Sequence, residues 1–275
     1  MNFHNASFKA AYGTSEQLPA STGPEVSFAG RSNVGKSSLL NKLMYRKGLA
    51  KVSSTPGKTA TINFYDVDGH DLVDLPGYGY AKVSKAEKGR WSELIEGYYN
   101  QDRDFALVVS LIDIRHEPSA LDRNMVQFLM DAELPFAIAL TKADKLSKQQ
   151  QMKQRAAIKK ALKLPGGVPM VVTSSEKGDG IDELRALRRE ALLAEMRHVE
   201  AQAECWLEEH PDEAARIAAE HRRTQATPEM LLGTAVVNGD SPAFGFTPET
   251  YLIAPSLRVY ELFMWYDENE RWTRN

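Results

Sequence analysis

Short apolar runs alternate with amphipathic stretches through residues 1–200. That is the pattern of a mostly parallel sheet covered by helices on both faces. Val26–Ala29, Thr61–Val67, Asp71–Asp74, Leu107–Asp113, Phe136–Thr141 and Val168–Thr173 predict six strands. Between the second and third lies Asp68-Gly69, a strong two-residue hairpin turn, so one strand should run antiparallel to the rest. Helices are predicted at Lys36–Tyr45, Ala86–Asn100, Leu121–Ala132, Lys148–Leu162 and Ile181–His198. On the last of these Leu184, Leu187, Ala191 and Leu192 form an apolar stripe suited to packing on the sheet. Phe3–Tyr12 offers a further edge strand. The expected fold class is α/β, a six-stranded sheet with one antiparallel strand and a small C-terminal appendage.

Beyond the last helix the pattern changes. Cys205–Arg223 reads as helical, and Met230–Trp265 is apolar and aromatic, interrupted by Asn238-Gly239, Pro242, Pro248 and Pro255. Phe244, Phe246, Tyr251, Tyr260, Phe263, Trp265 and Tyr266 are too many aromatics for a disordered tail. The charge changes at the same place: the net −3 divides into +4 over residues 1–200 and −7 over residues 201–275, and the latter contain no lysine. Two regions are expected, a main domain over 1–200 and an acidic extension over 201–275.

With 43% hydrophobic residues, the chain can bury a sizeable core. It contains no apolar run of membrane-spanning length, and Met1-Asn2-Phe3-His4-Asn5 does not resemble a secretory signal. A soluble cytoplasmic protein without membrane association is expected. The single cysteine, Cys205, cannot form an internal disulfide or a Cys/His metal cluster, and is read as a small buried residue.

The candidate chemistry lies at the ends of the predicted strands. Gly30-Arg31-Ser32-Asn33-Val34-Gly35-Lys36-Ser37 is a complete Gly-x4-Gly-Lys-Ser phosphate loop between a strand and a helix that continues through Ser38. Amides at the helix start can face a phosphate, Lys36 can reach the β- and γ-phosphates, and the Ser37 hydroxyl can bind Mg²⁺. Thr55-Pro56-Gly57-Lys58-Thr59 precedes the second strand, where Thr59 is placed to close over the metal and the γ-phosphate. Asp74-Leu75-Pro76-Gly77 follows the third strand, with Asp74 directed at the metal and the Gly77 N–H at the γ-phosphate. In Thr141-Lys142-Ala143-Asp144 the carboxylate can accept from guanine N1–H and N2–H₂, and Lys142 can lay its stem over the base. Thr173-Ser174-Ser175 completes the set, with the Ser175 N–H directed at guanine O6. Each piece alone also reads as a turn, a strand end or a surface lysine. Five in order, four of them at the carboxyl end of a strand and one ahead of the reversed strand, point to a GTP/GDP site.

These residues resemble the EngB family (also called YihA or YsxC) of bacterial GTPases. The resemblance is carried by Ala29–Ser38, Thr55–Thr59, Asp74-Leu75-Pro76-Gly77-Tyr78-Gly79-Tyr80-Ala81, Asp113-Ile114-Arg115-His116 and Leu140–Lys145. It covers about 200 residues and implies a P-loop GTPase fold, Mg²⁺-dependent GTP binding and slow hydrolysis. It also implies association with the large ribosomal subunit, its rRNA and ribosomal proteins, during assembly.

In Ras-like enzymes a glutamine after Asp-x-x-Gly aligns the attacking water, and here that position is Tyr78. Either Tyr78 packs in the loop or it is a poor aligner. In both cases a group from elsewhere must complete the site: K⁺ held with the help of Asn33, or a ribosomal group in trans. Lys142, Lys145, Lys148, Lys153, Arg155, Lys159, Lys160 and Lys163, against Asp144 alone, form either a solvated helix face or a phosphate-contacting patch for rRNA. Arg115 and His116 are candidates for the partner surface or for structural hydrogen bonds. A monomer is expected. The alternatives are a GTP-dependent scaffold that does not hydrolyse, and a P-loop kinase.

Overall fold

A computed structural model describes residues 3–21, 23–50, 61–79, 85–209, 211–212, 264–266 and 272–274. The strands are β1 (Ser7–Tyr12), β2 (Glu25–Gly30), β3 (Ile62–Val67), β4 (His70–Asp74), β5 (Phe105–Asp113), β6 (Phe136–Thr141) and β7 (Met170–Val172). They form one sheet in the order β1-β3-β4-β2-β5-β6-β7, and β3 alone runs against its neighbours. The sheet therefore has seven strands where six were expected. The seventh is the N-terminal edge strand, paired from Ser7 opposite Asp66 to Tyr12 opposite Ile62, with a bulge between Phe8 and Ala10. Asp68 and Gly69 have φ of 59° and 80°. Positive φ at both positions matches the turn to the right-handed twist of the two strands.

Helices α1 (Lys36–Leu43), α2 (Lys85–Tyr99), α3 (Ala120–Asp131), α4 (Lys148–Ala161) and α5 (Ile181–Glu209) connect or follow the strands. Alternation along the strands sorts the core into two faces. Phe28, Leu107, Val109 and Leu111 meet Leu39, Leu40 and Leu43 of α1 and Leu184 and Leu192 of α5. Val73 and Val108 meet Leu94 and Tyr98 of α2 and Leu129 of α3, while Ile138 and Leu140 meet Val126 of α3 and Ile158 of α4. Each fully buried aliphatic side chain contributes about 1.5–3 kcal/mol relative to exposure. The cores on both faces hold the carboxyl ends of β2, β4, β5 and β6 rigidly beside one another.

The opposite end of β2 has a different anchor. Glu25 is buried and accepts from Arg103 Nη1 at 2.6 Å, from Tyr98 OH at 2.9 Å and from Ser21 Oγ at 3.0 Å. Arg103 also donates to the Pro19 carbonyl and stacks over Tyr98 and Phe64. Each side-chain nitrogen and oxygen of the pair has a hydrogen-bond partner, the condition under which burying two charges is tolerable.

The chain divides into two compact units, residues 1–192 and 193–275. In the second, β8 (Met264–Tyr266) pairs antiparallel with β9 (Trp272–Arg274). The expected appendage over Met230–Trp265 lies almost wholly outside the described residues. Cys205 corrects its reading, because it is exposed. Arg197, Ala201 and Cys205 share one helical face, and all three are exposed.

Candidate functional site

The phosphate loop leaves β2 at Gly30, where a Cβ would come within 3.0 Å of Leu111 Cβ and Val34 Cγ1. Asn33 (φ 63°) and Gly35 (φ 103°) both take left-handed backbone, and the Val34 N–H closes on the Arg31 carbonyl at 3.1 Å. Such alternation turns successive amides toward one concavity, the geometry that receives anions. Gly35 caps α1 without a side chain, so a ligand can approach the first-turn amides that no intrahelical carbonyl can satisfy. Lys36 opens the helix, Ser37 is half-buried in the same turn, and Ser38 is exposed.

The segment after β4 is laced to this loop. The Leu75 N–H donates to the Phe28 carbonyl at 3.1 Å and the Tyr78 N–H to the Gly30 carbonyl at 3.2 Å. The Ser32 N–H donates to the Tyr78 carbonyl at 2.8 Å, and Ser32 Oγ lies 3.1 Å and 3.2 Å from the Tyr78 and Gly77 carbonyls. A Cβ on Gly77 would stand 3.2 Å from the Ser32 backbone, so glycine alone allows this approach without displacing the loop. At the end of β4 Asp74 is buried and ion-paired with Lys36. Tyr78 turns into the core and donates from its hydroxyl to Asp122 Oδ1 at 3.0 Å. Burial, and then the Asp122 charge, push the phenol pKa well up, so it stays a neutral donor. Asp122 is fixed in turn by Ser119, whose N–H and hydroxyl donate to Oδ2 in the capping box of α3.

Strand β6 delivers the other half of the site. Buried Thr141 donates from Oγ1 to the Val34 carbonyl at 2.7 Å. Lys142 has left-handed backbone (φ 60°), and its ammonium reaches back over the phosphate loop to the Asn33 carbonyl at 2.7 Å. It also pairs with Asp113 at 2.9 Å. A 3₁₀ turn over Ala143–Lys145 follows and presents Asp144, which accepts from Ser174 Oγ and Lys145 Nζ at 2.9 Å each. The Lys145 hydrogen bond outweighs desolvation, and with Ser174 it holds the Asp144 carboxyl below its ordinary pKa. A carboxylate so held is an acceptor throughout the neutral range.

Thr173 and Ser174 are fully buried and Ser175 half-buried. The Thr173 carbonyl accepts from the Ala143 N–H at 3.1 Å, and its hydroxyl lies on the Leu140 carbonyl at 3.2 Å. At Gly180 (φ +70°) a Cβ would fall 2.3 Å from the Val172 carbonyl oxygen, so this loop closes tightly only through glycine.

The structure therefore gathers Gly30 to Ser37, Asp74, Gly77, Lys142, Asp144, Ser174 and Ser175 along one edge of the sheet. Thr141 and Thr173 contribute through the scaffold, since their hydroxyls bond backbone carbonyls. Thr59, with Thr55–Lys58, lies outside the described residues. Ser37 and Asp74 supply hard oxygen donors of the kind Mg²⁺ takes. Among the described residues no group of three or more His, Cys, Asp or Glu side chains could hold a metal. Sequence reasoning missed the contacts of Ser32, Asp113 and Asp122. The signal for Asp113 was its place at the carboxyl end of the Leu107–Asp113 run, the same edge as the other site residues. A cleft of about 160 Å³ runs between Arg31–Val34 and the loop Asp113–Glu117, with Asp122 at its side.

Comparison with known proteins matches residues 25–142 to a family model described as 50S ribosome-binding GTPase. The "Probable GTP-binding protein EngB" of Syntrophomonas wolfei is 48% identical over 193 residues, covering 70% of this chain and 99% of the relative. The protein of the same name from Streptococcus equi subsp. zooepidemicus is 46% identical over 184 residues, covering 66% of this chain and 92% of the relative. A crystal structure of a probable GTP-binding protein EngB superposes with a TM-score of 0.51 at 24% identity. It covers 62% of this chain and 99% of that one, a likeness of fold. Among the described residues no helix is long and apolar enough to cross a membrane.

Proposed function

The chain belongs to the EngB family of GTP-binding proteins, and from that premise we propose a GTP-driven switch acting in assembly of the large ribosomal subunit. The observation that carries the reading is the join between the two halves of the site. Lys142 and Thr141, from the base side, donate to the Asn33 and Val34 carbonyls of the phosphate loop. Lys36 and Asp144 thus stand at either end of one continuous edge.

In this reading residues 1–200 are the GTPase domain and 201–275 an added acidic extension. The Gly30–Ser37 loop and the α1 amides cradle the phosphates, while Lys36 exchanges Asp74 for the β- and γ-phosphates. Ser37 and Thr59 would hold Mg²⁺ with Asp74 beside them, and the metal would neutralise charge on the phosphates. The Gly77 N–H faces the γ-phosphate. Asp144 reads guanine N1–H and N2–H₂, Lys142 covers the base, and the Ser175 N–H meets O6. A kinase reading is disfavoured by Asp144, whose carboxylate repels the acceptor edge of adenine.

Hydrolysis needs a water held in line with the γ-phosphate, and Tyr78 is committed to Asp122. The isolated chain therefore turns over slowly until K⁺ beside Asn33, or a ribosomal group, supplies the missing element. The buried Tyr78 equally favours a second reading, a scaffold that binds GTP without hydrolysing it. Single-turnover rates with ribosomes separate the two, and equal rates in KCl and NaCl would remove K⁺.

The family model's description supports a ribosomal partner. On α4 and its flanks Lys145, Lys148, Lys153, Arg155, Lys159, Lys160 and Lys163 are all exposed, a surface suited to rRNA phosphates. The test is sedimentation with ribosomal subunits. The full chain should travel with the large subunit in a GTP analogue, leave it in GDP, and lose binding steeply with salt. Equal binding in both nucleotide states would end the reading.

A further inference from the structure

We propose that Asp113 is a positioning residue for guanine-nucleotide binding, acting through Lys142 with Arg115 as its brace; this rests on the nucleotide reading above. Asp113 closes β5 opposite Thr141, so its carboxylate stands beside the first residue after β6. Two cations converge on it. Arg115 donates from Nε at 2.9 Å and Nη2 at 2.8 Å, and its backbone N–H adds a bond at 3.1 Å. Lys142 Nζ arrives at 2.9 Å while donating to the Asn33 carbonyl at 2.7 Å. The two-point contact with Arg115 leaves the carboxylate little freedom, because the guanidinium plane fixes it in orientation.

A free lysine would not adopt this arrangement. Lys142 has left-handed backbone (φ 60°), a conformation strained for residues with a Cβ. Its long stem would otherwise sample many rotamers. The ammonium is clamped at both ends of its reach, on Asp113 and on Asn33. The same left-handed residue precedes the turn that presents Asp144. Fixing Lys142 therefore sets the base cover and the approach to the base-reading carboxylate together. Burial alone would raise the Asp113 pKa, but the bonds from Arg115 and Lys142 outweigh it and hold the carboxyl well below its ordinary range. The clamp keeps its charge through the neutral range.

Displacement of a fluorescent GDP from the full chain tests this. Asp113→Asn should weaken GDP and GTP by the same factor, about tenfold, the worth of a charge-assisted bond. In a Lys142→Ala background the same substitution should cost nothing more. Asp113→Glu, which keeps the charge, should recover most of the affinity and covers the case in which the Asn variant folds poorly. An unchanged affinity in Asp113→Asn, an equal loss in the Lys142→Ala background, or no recovery with Glu would overturn the proposal. Loss of guanine preference is a separate readout: if Asp144→Ala still prefers GDP over ADP, the nucleotide reading itself fails, whatever Asp113 does.

Discussion

The Tyr78 hydroxyl donates to Asp122 at 3.0 Å, and this bond takes the side chain after Gly77 away from the phosphate loop. Its backbone remains on the loop: the Tyr78 N–H donates to the Gly30 carbonyl, and the Tyr78 carbonyl accepts from the Ser32 N–H and hydroxyl. The residue thus serves as a structural hinge pin between β4 and α3.

Tyr78→Phe should therefore behave as a stability variant. Loss of a hydroxyl bond to a buried carboxylate costs about 1.5–3 kcal/mol, read by chemical denaturation. Single-turnover GTP hydrolysis by the isolated chain should stay at the level of the parent. A marked fall in hydrolysis, with stability intact, would return Tyr78 to the chemistry.

The pH dependence of GDP binding follows from Asp144. Its folded pKa is depressed, first by the Lys145 hydrogen bond, so the acceptor form persists above the ordinary carboxylate pKa of about 3.9 and is lost only as pH falls through the lower, folded value. Affinity limited by this group should stay level from neutral pH down to about pH 5. In Lys145→Ala the decline should begin at higher pH than in the parent. Titration of GDP affinity against pH in both proteins reads the difference.

The Glu25–Arg103 pair gives a prediction remote from the nucleotide. Arg103→Ala leaves a buried carboxylate without its counter-charge and should destabilise the first unit by about 3–5 kcal/mol. Glu25→Gln/Arg103→Met, which removes both charges, should recover part of that loss. Thermal and denaturant melts of the two variants provide the comparison.

Much of this site was legible because its signals are local. The apolar run before Gly30, the glycines at the turn and the helix beginning at Lys36 fall within a dozen residues, and each element formed as its pattern required. Asp68-Gly69 announced the single reversal in the sheet for the same reason. The illegible contacts are those that depend on strand register. Asp113 meets Lys142 only because β5 and β6 align Asp113 with Thr141. Tyr78 meets Asp122 across 44 positions, and Arg103 meets Glu25 across 78. No periodicity encodes such pairings. Cys205 was misjudged because its type favours burial, whereas its helical face is exposed. Thr59 lies outside the described residues.

In the proposed function Lys36 and Asp144 hold opposite ends of one guanine nucleotide. The most direct measurement is displacement of bound fluorescent GDP from the full chain by unlabelled GTP and by ATP, repeated with Asp144→Ala. GTP should displace the probe, ATP should fail even at about a thousandfold excess, and Asp144→Ala should abolish the difference. Displacement by ATP as readily as by GTP in the parent protein would contradict it.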